Sequence, residues 1–496
     1  MKNIKRFSIL ILSMLVCLLV SFNSSNAASA MTSVSIAKGK SYEFSNISKK
    51  SGDIKVVGGT DVSYDYVVYD KSGNVVDTRI AEWIYTTIKV PSGGKLIMTG
   101  QSKKAVKAGG ASKQFKGKTS KSPALTRSTI VKGKSYEFSN TSKKSGKLKV
   151  VGGIDVDYDY VVYDKSGNVM DTRIAEWINT TVTVPAGGKV TMTGQSKKAV
   201  IAGGANKQFK GKASKLRALT RSTIVKGKSY EFSNTSKKLG KLKVIGGIDV
   251  DYDYVVYDKN GNVVDTRIAE WINTTVIVPA SGKLIMTVQS KKSVIAGGSS
   301  KIFKGNTGKT PALTRSTMVK GKSYEFFNKS NKEGKVKVVG GIDVDYDYVV
   351  YDKNGNVLDT RIAEWINTTV TVPAGGKLII TGQSKKAVIT GGSSKIFKGN
   401  TGNSPALTRA TIANGKSYEF SNKSNLVGNV KVVGGINVSY DYVVYNVAGD
   451  VVKSDLAQWI NKTIEVPANG TLVITVQGKN PAIAGGSYIV FAGKAI

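Results

Sequence analysis

The chain has 496 residues, no histidine and a single cysteine, so Ser–His and Cys–His dyads, His-ligated zinc and a disulfide framework are excluded. Seventy-three basic against 34 acidic residues give a net charge of +39, and only ten of the basic residues are arginine. Lysine is a strongly hydrated point charge, so the excess favours salt-sensitive attraction to polyanions over geometric recognition, or serves to keep the chain soluble.

Residues 1–30 read as a secretory signal peptide. Lys2, Lys5 and Arg6 form a basic start, Phe7–Val20 is apolar, and Ser25-Asn26-Ala27 or Ala28-Ser29-Ala30 supplies the cleavage triplet. The apolar run is too short for a transmembrane helix, and no later segment is apolar enough to span a membrane. The only cysteine, Cys17, lies inside it, so the exported chain is expected to lack thiol chemistry. The expected location is extracellular, with non-covalent attachment to a surface as an option.

The rest repeats. Trp83, Trp177, Trp271, Trp365 and Trp459 are each 94 residues apart, and Gly39, Gly133, Gly227, Gly321 and Gly415 keep the same step. That period is too long for a solenoid repeat and matches a small domain. The expected division is a signal peptide at 1–30 and five β-sandwich repeats at 31–125, 126–219, 220–313, 314–407 and 408–496.

In the second repeat, Ser135–Ser139 alternates polar and apolar, as a half-buried strand does. Strands are expected next at Leu148–Val151 and Val156–Tyr163, the latter closed by the turn Asp164-Lys165-Ser166-Gly167-Asn168. Thr180–Val184 and Lys189–Thr193 flank Pro185-Ala186-Gly187-Gly188, and a last strand falls near Lys207–Lys210. No ten-residue stretch has helical period. Short strands with a turn about every ten residues predict an all-β chain of five tandem antiparallel, jelly-roll-like sandwiches, beads on a string. Segments such as SPALTRST (122–129) read as semi-stiff linkers. Cleavage at their arginines, Arg127, Arg221, Arg315 and Arg409, is a weaker alternative.

The run DYDYVVYDKSGNV (157–169), followed by TVTVPAGGK (181–189), resembles the bacterial pre-peptidase C-terminal domain. The shared pattern is a D-x-D-x-x-V-x-D strand, a Ser-Gly-Asn turn and a Pro-x-x-Gly hairpin, and it covers most of each repeat. The resemblance implies a small secreted sandwich, related in shape to clostridial collagen-binding domains and usually appended to a protease. Here no protease is attached, and an aromatic usual after the hairpin glycine is replaced by Lys-Leu or Lys-Val.

Three constellations are candidate sites. Asp155, Asp157 and Asp159 at i, i+2 and i+4 would share one face of a strand and could hold Ca²⁺ through oxygen ligands. The bland alternative is a set of strand-end carboxylates bonded to amides or lysines, and only the third position is acidic in all five repeats. Arg173 and Glu176 flank Trp177. Both are kept in four repeats and both change in the fifth, to Asp455 and Gln458, as expected of an interacting pair. The tryptophans (Trp83, Trp177, Trp271, Trp365) are expected in the core or between sheets, since Trp459 outlasts its charged neighbours. The rival expectation is a loop that stacks on sugar rings or anchors a partner. The paired lysines Lys143-Lys144 and Lys197-Lys198 fall in turns and are candidate polyanion contacts. Residues 133–214 carry net +6, the matching 415–496 only +2, so the fifth repeat suggests an end cap or docking domain.

There is no Walker loop or dinucleotide fingerprint, and no enzyme activity or small-molecule cofactor is expected. The expected function is multivalent binding to an anionic polymer such as teichoic acid, acidic polysaccharide or extracellular DNA, with repetition raising avidity. A glycan- or collagen-binding adhesin and a structural spacer are the alternatives.

Overall fold

The computed structural model describes residues 31–299, 303–394, 396–402 and 404–496. The signal-peptide expectation lies outside them. The described residues form strands and turns with no helix, so no helix is long and apolar enough to cross a membrane.

The first repeat sets the pattern. It comprises β1 (Met31–Ile36), β2 (Ser41–Asn46), β3 (Gly52–Val57), β4 (Tyr64–Tyr69), β5 (Val75–Glu82), β6 (Thr86–Val90), β7 (Lys95–Gly100), β8 (Val106–Ala111) and β9 (Phe115–Thr119). They make a four-stranded sheet, β1-β8-β3-β6, and a five-stranded sheet, β5-β4-β7-β2-β9, all antiparallel. The same two sheets recur in each later repeat, giving five two-sheet sandwiches.

Local chemistry explains the turns. In the second sandwich Gly167 takes a positive φ of 80°, and Asp164 Oδ1 accepts the Asn168 N–H at 2.8 Å, which closes the hairpin. Asn140 Nδ2 donates to the carbonyls of Lys144 and Val184 at 2.9 and 3.0 Å, and its Oδ1 accepts the Ser142 N–H. Asn46, Asn234, Asn328 and Asn422 repeat this clasp, which ties the lysine-bearing turn to the opposite sheet.

The strand Tyr64–Tyr69 explains how sandwiches join. Its alternate residues Tyr64, Tyr66 and Val68 enter the core between the two sheets. Val67 and Tyr69 instead join Ile80, Ile97, Ala124, Leu125 and Ala205, an apolar cluster shared with the second sandwich. The outer face of one five-stranded sheet therefore packs on the outer face of the next four-stranded sheet. Apart from Asp65, whose carboxylate is hydrogen-bonded, the run is apolar, as a strand buried on both faces requires.

The chain divides into two compact bodies, residues 1–218 and 219–496. The first contains this junction between sandwiches one and two. The second contains equivalent junctions between three and four and between four and five. At these three junctions LTRSTI-type segments are not linkers. Leu125–Ile130, Leu313–Met318 and Leu407–Ile412 are the first strands of their sandwiches, with the preceding alanine and the leucine buried.

Candidate binding surfaces

Each described junction is built around an arginine. Arg315 Nη1 donates to Asp253 Oδ1 at 2.8 Å and its Nη2 donates to Asp251 Oδ2 at 2.8 Å. Arg409 makes the same two contacts with Asp347 and Asp345, at 2.9 and 3.0 Å. Arg127 reaches only Asp65, at 3.2 Å, because Ser63 stands where the others have the second aspartate. Asp253 is fully buried; it also accepts the Ala269 N–H and the Gln289 amide. Burial pushes its carboxyl up, and Arg315 with these two donors works against that rise. Removing one partner of such a pair leaves an uncompensated buried charge.

Further polar contacts cross the same junction. The Ala312 N–H donates to Thr287 Oγ1, Tyr257 Oη meets Ser393 Oγ at 2.8 Å, and Lys332 Nζ donates to Asn262 Oδ1. Lys337 lies within this contact, its ammonium pushed below the usual range by burial and by the Arg267 charge. Beside it a groove of about 790 Å³ is lined by Lys332, Lys335 and Lys337 but also by Asp265 and Glu333, so it has no single sign of charge.

The aspartate triad expected to share a strand face does not do so. Asp155 sits in a turn at a positive φ of 65°, and the strand starts only at Tyr158. Asp159 is buried and accepts the Ala175 N–H at 2.9 Å. Its counterparts Asp253 and Asp347, with Asp251 and Asp345, are arginine receptors. Among the described residues no group of three or more acidic side chains is placed to hold a metal.

The charged pair beside the tryptophan does meet. Arg173 Nη1 lies 3.7 Å from Glu176 Oε1, and the other three repeats match at 3.8–3.9 Å. The arginine is half exposed, so the pair contributes about 0–1 kcal/mol. In the fifth repeat Asp455 instead pairs with Lys462 at 2.6 Å, and Gln458 accepts from the same lysine.

The tryptophans are not in the core. Trp83, Trp177, Trp271, Trp365 and Trp459 are 57–65% exposed, each followed by a half-exposed isoleucine. Their backbone, by contrast, is held firmly. Tyr158 Oη donates to the Ile178 carbonyl at 2.7 Å, and Asn179 Oδ1 accepts the Gly152 N–H. A Cβ on Gly152 would lie 2.3 Å from the Trp177 carbonyl oxygen, so this close approach needs glycine. On the adjoining turn Ile154 is 77% exposed, and Lys198 Nζ donates to its carbonyl. The first sandwich has Thr60 there and adds the exposed Tyr85. The packing expectation failed because the strand turns away at the bulged, positive-φ Ala175, leaving Trp177 and Ile178 outside.

Lys143, Lys144 and Lys197 are exposed on turns, as is Lys198. Lys144 is also a junction residue, its Nζ donating to Asn74 Oδ1 of the first sandwich at 2.9 Å. The junction arginines are not linker residues open to proteolysis, as the sequence alone suggests, but hydrogen-bonded contacts between sandwiches. The signal that points to them is the recurring Ala-Leu-Thr-Arg, whose apolar pair has no use in a solvated linker.

No protein-family model matches the chain, and none of the curated proteins matches it at a significant level.

Proposed function

We propose that this chain is a secreted, non-catalytic, multivalent binding protein that attaches to an anionic glycan-containing polymer of a cell wall or extracellular matrix. The observation that carries this reading is the exposed Trp-Ile tip repeated on all five sandwiches and held from beneath by the Tyr158-type hydroxyl and the Gly152-type glycine. A buried role would not leave five tryptophans in water. A rigid, exposed indole suits stacking on a sugar ring and costs little conformational entropy to bind. Turn lysines near the tips supply the charge for an acidic polymer. The junctions add to this: within each body they fix one sandwich against the next, so the tips meet a repeating ligand in register. On the motifs alone, we assign the sandwich to the pre-peptidase C-terminal-like type.

The test compares pelleting of the chain with acidic and neutral polysaccharides, and with cell walls, over a range of salt. The comparison chain carries alanine at all five tryptophans. Binding to the acidic polymers should fall steeply with salt, and the alanine chain should bind at least about tenfold more weakly while keeping its β spectrum. Salt-independent binding would remove the polyanion. Undiminished binding by the alanine chain would remove the tips.

A further inference from the structure

The fifth sandwich retains the apolar docking face and one of its two arginine-binding aspartates. At the three described junctions this face consists of Val67, Tyr69, Ile80 and Ile97, or their counterparts, all buried under the following sandwich. In the fifth the same positions hold Val443, Tyr445, Leu456 and Val473. Leu456 is 74% exposed and the other three are partly exposed. The strand Tyr440–Tyr445 shows this directly: its buried residues alternate, whereas Tyr64–Tyr69 is buried throughout. One aspartate of the polar receptor persists, and Ser439 stands for the other, as Ser63 does at the first junction. Asp441 Oδ1 accepts the Ala457 N–H at 2.7 Å, and Gln477 approaches its other oxygen at 3.4 Å. An end cap would carry polar residues on this face. Instead it keeps the apolar set and the aspartate.

The first sandwich of this chain does not offer the complementary surface. Ser33 stands at the position of Arg127, Arg315 and Arg409. The exposed Lys107 stands where Ile201, Ile389 and Ile483 pack into the junction clusters. Docked on the fifth sandwich, it would press a lysine onto apolar surface and leave Asp441 without a guanidinium.

We propose that the outer face of the fifth sandwich is a docking site for a further sandwich whose first strand carries Ala-Leu-Thr-Arg, and that Ser33 and Lys107 prevent the first sandwich of a second copy from taking that place. The partner is defined by chemistry: a four-stranded sheet face with an arginine for Asp441 and aliphatic residues for Leu456 and Val443.

The experiment restores the missing features in the chain from residue 28 onward. Sedimentation velocity over a hundredfold concentration range compares the unaltered chain, Ser33→Arg with Lys107→Ile, and that double variant with Asp441→Asn and Leu456→Asp added. Circular dichroism verifies that each is folded. The unaltered chain should stay monomeric. The double variant should form head-to-tail chains that lengthen with concentration, and the two added substitutions should return it to monomer. A monomeric double variant would overturn the docking face. Association of the unaltered chain would overturn the blocking role of Ser33 and Lys107. Association that survives the added substitutions would place the contact elsewhere.

Discussion

Single residues decide how well each junction is made, and the three described junctions differ in instructive ways. Tyr257 and Tyr351 each bond a serine hydroxyl across the junction, Ser393 and Ser487, at 2.8 Å. At the first junction the serine position is Ala205, and the buried Tyr69 Oη has no hydrogen-bond partner. A buried hydroxyl without a partner costs free energy that a matched partner recovers. Ala205→Ser should therefore stabilise the 1–218 body by about 1 kcal/mol. Ser393→Ala in the other body should cost a similar amount. Urea unfolding of the chain, resolved by body, measures both; no gain from Ala205→Ser would mean that the hydroxyl cannot reach Tyr69.

At the scale of strands and turns, the sequence was legible where one face is wet. Thr180–Val184 alternates as such a strand does, and it, Ser135–Asn140 and the more deeply buried Lys189–Gly194 lie within a residue of their expected limits. The strands overlooked were Leu125–Ile130, Val169–Glu176 and Val200–Ala205. Two of these, and the first-sandwich counterpart of the third, line the junction between the first two sandwiches. Their patterns are shaped by a neighbouring domain, not by one core and one solvent face, so period-two reasoning does not find them. Val169–Glu176 is also broken by a bulge, and Val200–Ala205 is rich in glycine and alanine. The tryptophan was misjudged for the same reason: it follows a bulge whose backbone cannot be foreseen from side-chain types. That bulge makes the Trp loop depend on its glycine. In Gly152→Ala the new methyl would meet the carbonyls of Trp177 and Ile178 at 2.3–2.4 Å. The loop must shift, at a cost of about 1–3 kcal/mol. Thermal unfolding should register the loss, and polymer binding should weaken more than in Lys197→Ala. A variant with unchanged stability and binding would show that the loop is not held as described.

At the scale of the whole molecule, the sandwiches bury tyrosines both between their sheets and at their junctions. Tyr64 and Tyr440 belong to cores between sheets, and Tyr69 and Tyr351 to junctions between sandwiches. Burial pushes all four hydroxyls up to about 12. An unfolded tyrosine ionises near pH 10. The folded state thus holds these groups in the neutral form, and their contribution to stability is complete below about pH 10. As pH rises towards 12 the unfolded chain sheds protons that the folded chain retains, and that contribution is lost. Core and junction lose it over the same interval, so a sandwich and its contact with the next should fail together. An alkaline titration followed by tyrosinate absorbance and by circular dichroism checks this. The main absorbance rise should lie above pH 10 and coincide with loss of the β spectrum. A main rise near pH 10 with the spectrum intact would mean that the junction tyrosines are open to water, and the stacking of sandwiches within each body would then be wrong.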